Sequence, residues 1–255
     1  LVERSHHEVG TAGQMEINYR FTDILSAGDE LMKFKYIIRN VAWEGGKTAT
    51  FMPKPLFGDN GSGMHVHQSL WKDGKPLFFE AGTYGDLSDM ARWYIGGLLK
   101  HAPSLLAFTN PTVNSYRRLA PDISAPINLS WGFDNRTTAF RVPNSDAANL
   151  RIENRFPGVD ANPYLAITAS LASGLLGMRQ HLQPTAPHRG TANEDSVGVA
   201  RTLEEGVRKL NDTPELQAMI GELFMRAYAA VKLDEFEEFN RVISSWEREH
   251  LLLQV

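Results

Sequence analysis

The 255-residue chain contains no cysteine. That excludes disulfides and every thiolate metal site, although it leaves the compartment open. No apolar run reaches the roughly 18 residues that a bilayer-spanning helix needs, so no membrane partner is expected. No basic run is present and the net charge is −4, which argues against a nucleic-acid partner. Neither a Walker-type nor a kinase-type phosphate motif occurs, which excludes those two routes to phosphoryl transfer. Internal repeats and low-complexity segments are also missing. What is present is ordinary for a globular chain: 42% hydrophobic and 22% charged residues, enough to bury one large core or two small ones. The sequence opens on Leu1 and enters a motif almost at once, from which a fragment of a longer protein is expected.

Residues 51–70, FMPKPLFGDNGSGMHVHQSL, dominate the pattern. Pro53 and Pro55 suit extended or edge backbone. The run Gly58-Asp59-Asn60-Gly61-Ser62-Gly63 allows positive φ and close backbone approach to a ligand. From Met64 the alternation predicts a strand with His65, His67 and Ser69 on one face. A His-x-His strand is also the pattern of two hydrogen-bonded surface histidines, so other strands must supply matching ligands before it reads as a site.

Residues 5–10 and 14–21 read as two strands that bring Glu8 and Glu16 together, with His6 on the face of Glu8. Helices are predicted over 29–44, stopping at Gly45-Gly46, and over 88–108, with Ser88 as N-cap and Pro103 breaking or kinking the helix. Residues 110–121 read as a loop carrying Arg117-Arg118. Strands are predicted over 126–131, 137–142 and 149–156, the last placing Arg151, Glu153 and Arg155 on one face; by itself that face reads as a solvated ion-pair ladder. Asn162-Pro163 opens a nearly all-apolar, buried helix to 182. After a polar loop over 184–198, helices are predicted over 213–231 and 234–253, and the leucine-rich end is expected to dock on its own domain or a neighbouring subunit.

The collected inward-facing polar residues are Glu8, Glu16, His65, His67, Glu153, Arg141, Arg151 and Arg155. Carboxylates with imidazole and no thiol suit Mg²⁺ or Mn²⁺ better than Zn²⁺. The surrounding arginines suit a phosphorylated or carboxylate reactant, because guanidinium meets such oxygens bidentately. Metal-type ligands, arginines and a glycine loop together are equipment for phosphoryl transfer.

The blocks SHHEVGTAGQMEI, GKTATFMPKPLFGDNGSGMHVHQSL, NPTVNSYRRL, NRTTAFRVP, RIENRFPG and ANPYL, in that order, resemble the catalytic domain of glutamine synthetase over nearly the whole chain. The resemblance implies an α+β fold, a curved antiparallel sheet (a partial barrel) packed with helices, and residues 1–255 as a catalytic domain lacking the family's N-terminal β-grasp domain. It implies a cytoplasmic, ATP-dependent ligase in which glutamate attacks ATP to give a γ-glutamyl phosphate that an amine displaces. Carried over by motif position, Glu8, Glu16, His65 and Glu153 are metal ligands for Mg²⁺ or Mn²⁺. Asn60, Gly61, Arg118 and Arg155 hold glutamate. Arg136 and Arg141 meet ATP phosphates or the transferring group, and Glu3, Phe21, His67, Ser69 and Arg151 shape the nucleotide pocket. The family's flap glutamate is replaced by Ser124, with Asp122 nearby. From Trp131 onward the chain looks more like glutamate–polyamine ligases, so a larger amine is expected ahead of ammonia. A homo-oligomeric ring is implied for the full-length form. Ordinary glutamine synthetase, a catalytically silent family member and a cupin-like metalloprotein are the competing expectations; only the last leaves the arginines without a role.

Overall fold

The computed structural model describes residues 2–120, 125–192 and 199–254. In chain order its elements are β1 (Val2–His7), β2 (Met15–Tyr19), α1 (Ile24–Glu44), β3 (Val66–Gln68), β4 (Trp71–Lys72), β5 (Lys75–Pro76), α2 (Asp89–Thr109), α3 (Val113–Arg118), β6 (Trp131–Phe133), β7 (Phe140–Val142), β8 (Ile152–Asn154), α4 (Pro163–Gln180), α5 (Leu203–Asn211), α6 (Pro214–Ile220), α7 (Glu222–Asn240) and α8 (Ser245–Leu251). The architecture is α+β, with an open four-stranded sheet in the order β3-β8-β7-β6. That sheet is antiparallel except for the β6–β7 pair, which is parallel. Parallel neighbours usually need a crossover of a dozen or more residues. Here the strands are so short that six intervening residues can lead the chain back, with Asp134 turning it at φ 46°.

The core lies where α2 crosses α4, and glycines set the separation. A Cβ on Gly97 would stand 2.1 Å from the Ser173 carbonyl oxygen, and one on Gly177 2.2 Å from that of Trp93. With those side chains absent the two backbones touch, and Tyr94, Leu98, Phe140, Ile152 and Phe156 close over the sheet without exposure. The helix α2 passes through Pro103 without ending there. Its buried flanks hold the turn that the missing N–H would have closed.

Several boundaries differ from the sequence-based expectation. Asp23 caps α1 by accepting from the Leu25 and Ser26 N–H groups at 3.1 and 3.0 Å, so the helix starts earlier than its apolar stripe. Residues 110–121 are not all loop. Thr112 and Ser115 form a capping box that opens the short, six-residue α3. The strand expected over 126–131 begins only at Trp131. The short amphipathic α5 is an additional helix within a stretch read as having none. The break expected near residue 232 does not exist: α7 runs through it, and the chain turns instead at Gly221 (φ 119°) and before Ser244, the cap of α8.

Candidate functional site

Glu153 organises the site because it sits on β8, in the interior of the sheet. Its backbone register places His67 of β3 opposite it on one side and Arg141 of β7 on the other. The Glu153 side chain is 3% exposed. Its Oε1 lies 3.0 Å from His65 Nδ1 and accepts from Arg155 Nη1 at 2.9 Å, while Oε2 accepts from Arg141 Nη1 at 3.0 Å. The Arg-x-Glu-x-Arg face is therefore not a solvated ladder; only Arg151 stays near solvent, donating to His67 Nδ1 (3.1 Å) and to the Asn149 carbonyl.

Charge governs the protonation states. Burial alone would raise Glu153, but the hydrogen bond and charge of His65, and then Arg155, outweigh it and hold the carboxyl well below the usual carboxylate range. Burial drives His65 down, against the pull of Glu153, with Arg155 and Arg118 pushing the same way. Its ring is still 34% open to solvent, which moderates the effect. His67 is depressed to about 4, chiefly by burial. Both imidazoles are thus neutral near pH 7 and able to ligate.

A second cluster stands on the β1–β2 pair. His6, Glu8 and Glu16 each offer a ligating atom within 4.8 Å of the others. Glu16 is pulled below its ordinary value. Its partial burial opposes the hydrogen bonds from Asn18 and Glu8 and the nearby imidazoles, and these prevail. Two carboxylates drawn together in this way repel unless a proton or a cation stands between them. The donors are hard oxygens and imidazole, which fits a divalent ion of the Mg²⁺ or Mn²⁺ type. His6 is the member that the sequence-based ligand set omits. Its signal was visible, since it shares the face of Glu8 and pairs across the strands with Glu16.

The glycine-rich loop is tied to that pair. Gln14 Nε2 donates to the Gly61 carbonyl and to Ser62 Oγ, both at 3.0 Å, and the Thr11 N–H donates to Asp59 Oδ2 at 2.9 Å. These contacts escape a reading along the chain because they span nearly fifty residues. Behind the loop lies Arg118, 3% exposed, donating to the Phe156 and Arg155 carbonyls at 2.8 and 3.1 Å. Burial, with Arg155 beside it, lowers its pKa to about 10, so it stays charged at neutral pH. A Cβ on Gly63 would come within 2.5 Å of Arg118 Nη2, so any larger residue there would have to displace the guanidinium. The helix α3 carrying Arg118 is anchored by Asp160, whose Oδ2 accepts from Thr112 and Ser115 at 2.7 and 2.6 Å.

The remaining candidates are more peripheral. Asn60 sits in the same loop, its N–H donating to Asp59 Oδ1 at 2.7 Å. Glu3 and Phe21 are exposed on and just after the β1–β2 pair. Ser69 Oγ accepts from Trp71 Nε1 at 3.1 Å. Arg136 shares a cavity of about 460 Å³ with Arg141. Ser124 and Asp122 lie outside the described residues.

An interior-strand carboxylate ringed by imidazole and guanidinium, together with a two-carboxylate cluster on the separate β1–β2 pair, marks an α+β domain whose side chains suit divalent cations and anions. The comparisons with known proteins narrow this. The family described as glutamine synthetase, catalytic domain, matches residues 1–251, and the chain belongs to that family. The glutamine synthetase of Streptomyces filamentosus is 61% identical over 188 residues, covering 73% of this chain and 40% of that protein. The glutamine synthetase of Mycolicibacterium smegmatis is 60% identical over 188 residues, with 73% and 39% covered. Less than half the length of these relatives is therefore matched. A solved structure of GmaS without ligand superposes with a TM-score of 0.90 at 34% identity, covering 99% of this chain and 59% of that one. A GmaS–ADP complex gives a TM-score of 0.90 at 35% identity, covering 98% and 60%.

Proposed function

We propose that the chain is the catalytic part of an ATP-dependent ligase that joins the γ-carboxylate of glutamate to an amine. The observation that carries this reading is Glu153, buried and ionised between His65, Arg141 and Arg155. In the proposed reaction a glutamate γ-carboxylate oxygen bonds to the γ-phosphorus of ATP as ADP departs. The amine nitrogen then attacks the resulting acyl phosphate, phosphate leaves with the C–O bond electrons, and the nitrogen loses a proton. Divalent ions of the Mg²⁺ or Mn²⁺ class, held by Glu8 and Glu16 and by His65 and Glu153, would neutralise phosphate oxygens when bound. Arg118 and Arg155, fixed from behind by backbone carbonyls and by Glu153, orient the glutamate carboxylates. Arg136 and Arg141 face the phosphates, and Asn60 and Gly61 bring backbone close to the amino acid. His67, Ser69 and Arg151, with Glu3 and Phe21, border the nucleotide. That one structural relative was solved with ADP supports a nucleotide at this fold.

For the acceptor, a polyamine or other primary amine is placed ahead of ammonia. A carboxylate at the flap would attract ammonium and take its proton, and Ser124 supplies neither charge. Ammonia is the second reading, favoured by the glutamine synthetases that share about 60% identity. The test is phosphate release by the full-length protein with glutamate, ATP, Mg²⁺ and a panel of amines. A primary amine should show the highest kcat/KM, and Ser124→Glu should move preference toward ammonia. Ammonia outperforming every amine would reject the acceptor assignment, and no amine-dependent release at all would reject the ligase.

A further inference from the structure

The cavity of about 460 Å³ beside Arg141 takes two of its lining residues, His188 and Arg189, from a segment to which no motif assigns a role. That segment is built onto the sheet. The His188 N–H donates to the Trp131 carbonyl at 2.8 Å, and Trp131 Nε1 donates to the Thr185 carbonyl at 2.8 Å. Asn135 Nδ2 donates to the Gly190 carbonyl at 2.8 Å and reaches that of His188 at 3.4 Å, while its Oδ1 accepts the Thr137 N–H and hydroxyl at 3.0 and 2.7 Å. Further along, the Ala192 N–H donates to Thr137 Oγ1 at 2.9 Å. Gly132 permits the close approach, since a Cβ there would stand 2.9 Å from the His188 carbonyl oxygen. The segment is therefore pinned along the β6 edge of the sheet, and Arg189 lines the same cavity as Arg136.

Charge decides what such a cavity takes. Arg136, Arg141, Arg189 and His188 converge on it, against one carboxylate, Asp134, which is already paired with Arg141. Among the described residues Arg136 and Arg189 enter no ion pair, and Arg141 Nε is buried without a hydrogen-bond partner. Three arginines lining one cavity suit an anion with several oxygens and more than one negative charge. Tyr84 and Phe133, an edge-to-face ring pair with centroids 6.4 Å apart, supply the aromatic part of the lining. Arg141 also reaches Glu153, so the cavity adjoins the cluster described above.

We propose that Arg189, with His188, joins Arg136 and Arg141 in binding a phosphate-class anion in this cavity. Resting on the ligase reading, the proposal adds the 185–190 segment to the phosphate-handling surface. Two sources share the chemistry: the phosphates of bound nucleotide and free inorganic phosphate. Isothermal titration of the full-length protein with inorganic phosphate, and separately with a non-hydrolysable ATP analogue plus Mg²⁺, distinguishes them. Replacing Arg189 by glutamine removes a charge-assisted donor pair and should weaken binding about tenfold. Arg189→Lys should recover part of the loss and His188→Gln should show a smaller one. Arg179→Gln, a charge-matched change on α4 that does not line the cavity, should leave both affinities unchanged. Weakening of both ligands places nucleotide phosphates here, and weakening of inorganic phosphate alone places the free ion. Wild-type affinity for both in Arg189→Gln, or no phosphate binding by the wild type, overturns the site. Because binding is read without turnover, a protein that binds phosphate through Arg189 but joins no amine would reject the ligase and leave this site standing.

Discussion

At the scale of single residues, Glu153 ties the stability of the fold to the proposed metal site. Its carboxylate is almost fully buried and bonded to two arginines. Removing one partner of such a cluster strands buried charge, at a cost of about 3 kcal/mol or more. Glu153→Ala should therefore lower Tm even without added metal, whereas Glu8→Ala and Glu16→Ala, on partly exposed strands, should do so far less. All three, with His65→Ala, should lose the further Tm increase that Mg²⁺ or Mn²⁺ confers on the wild type, since a ligand that binds only the native state stabilises it. Thermal denaturation with and without metal checks both halves. Unchanged metal-dependent shifts in all four variants would remove the ligand assignment.

At the scale of elements, the α2–α4 contact depends on glycine. Ala at position 97 would place its Cβ against backbone atoms of α4 that cannot rotate away. Gly97→Ala should destabilise the fold by about 1–3 kcal/mol, the range for overpacked cores, as read by denaturant titration. The helix α2 also buries His101, 2% exposed, with Nε2 unpartnered. Burial, and then the adjacent Lys100, pushes its pKa below the usual 6.5, against Glu215. The unfolded chain then binds more protons just below pH 6.5, so His101 makes the native state progressively less stable as pH falls through that value. His101→Leu should flatten the Tm–pH curve below pH 6.5 relative to wild type. A parallel pair of curves would show that His101 does not titrate in this way.

Across the whole molecule, the described surface is unevenly apolar. Ile37, Val41 and Trp43 stand exposed on α1, and Val242, Ile243, Trp246 and Leu253 on the C-terminal end. Large apolar side chains left exposed in groups on an element offer surface for association. The full-length protein should therefore run as an oligomer in light scattering, and Ile37→Glu with Trp43→Glu should reduce its mass. A monomer at micromolar concentration would reject the expected ring. No helix among the described residues is long and apolar enough to cross a membrane.

Much of this was legible in the chain. The spacing of His65, His67 and Ser69, the paired Glu8 and Glu16, and the Arg-Glu-Arg alternation at 151–155 are periodic signals, and periodicity survives in a linear string. The caps at Ser88 and Asn162 were equally local. By itself the sequence determined the family, the residue types of the site and most helices, because blocks of motif and hydrophobic spacing are short-range properties. It did not show that Glu153 is buried, since burial follows from its place on an interior strand between β3 and β7, a pairing across some eighty residues. Nor did it show that Gln14 and Thr11 hold the glycine loop, or that the 185–190 segment brings Arg189 to the cavity that Arg136 lines. Those are hydrogen bonds between distant stretches, and only the tertiary structure decides which distant stretches meet.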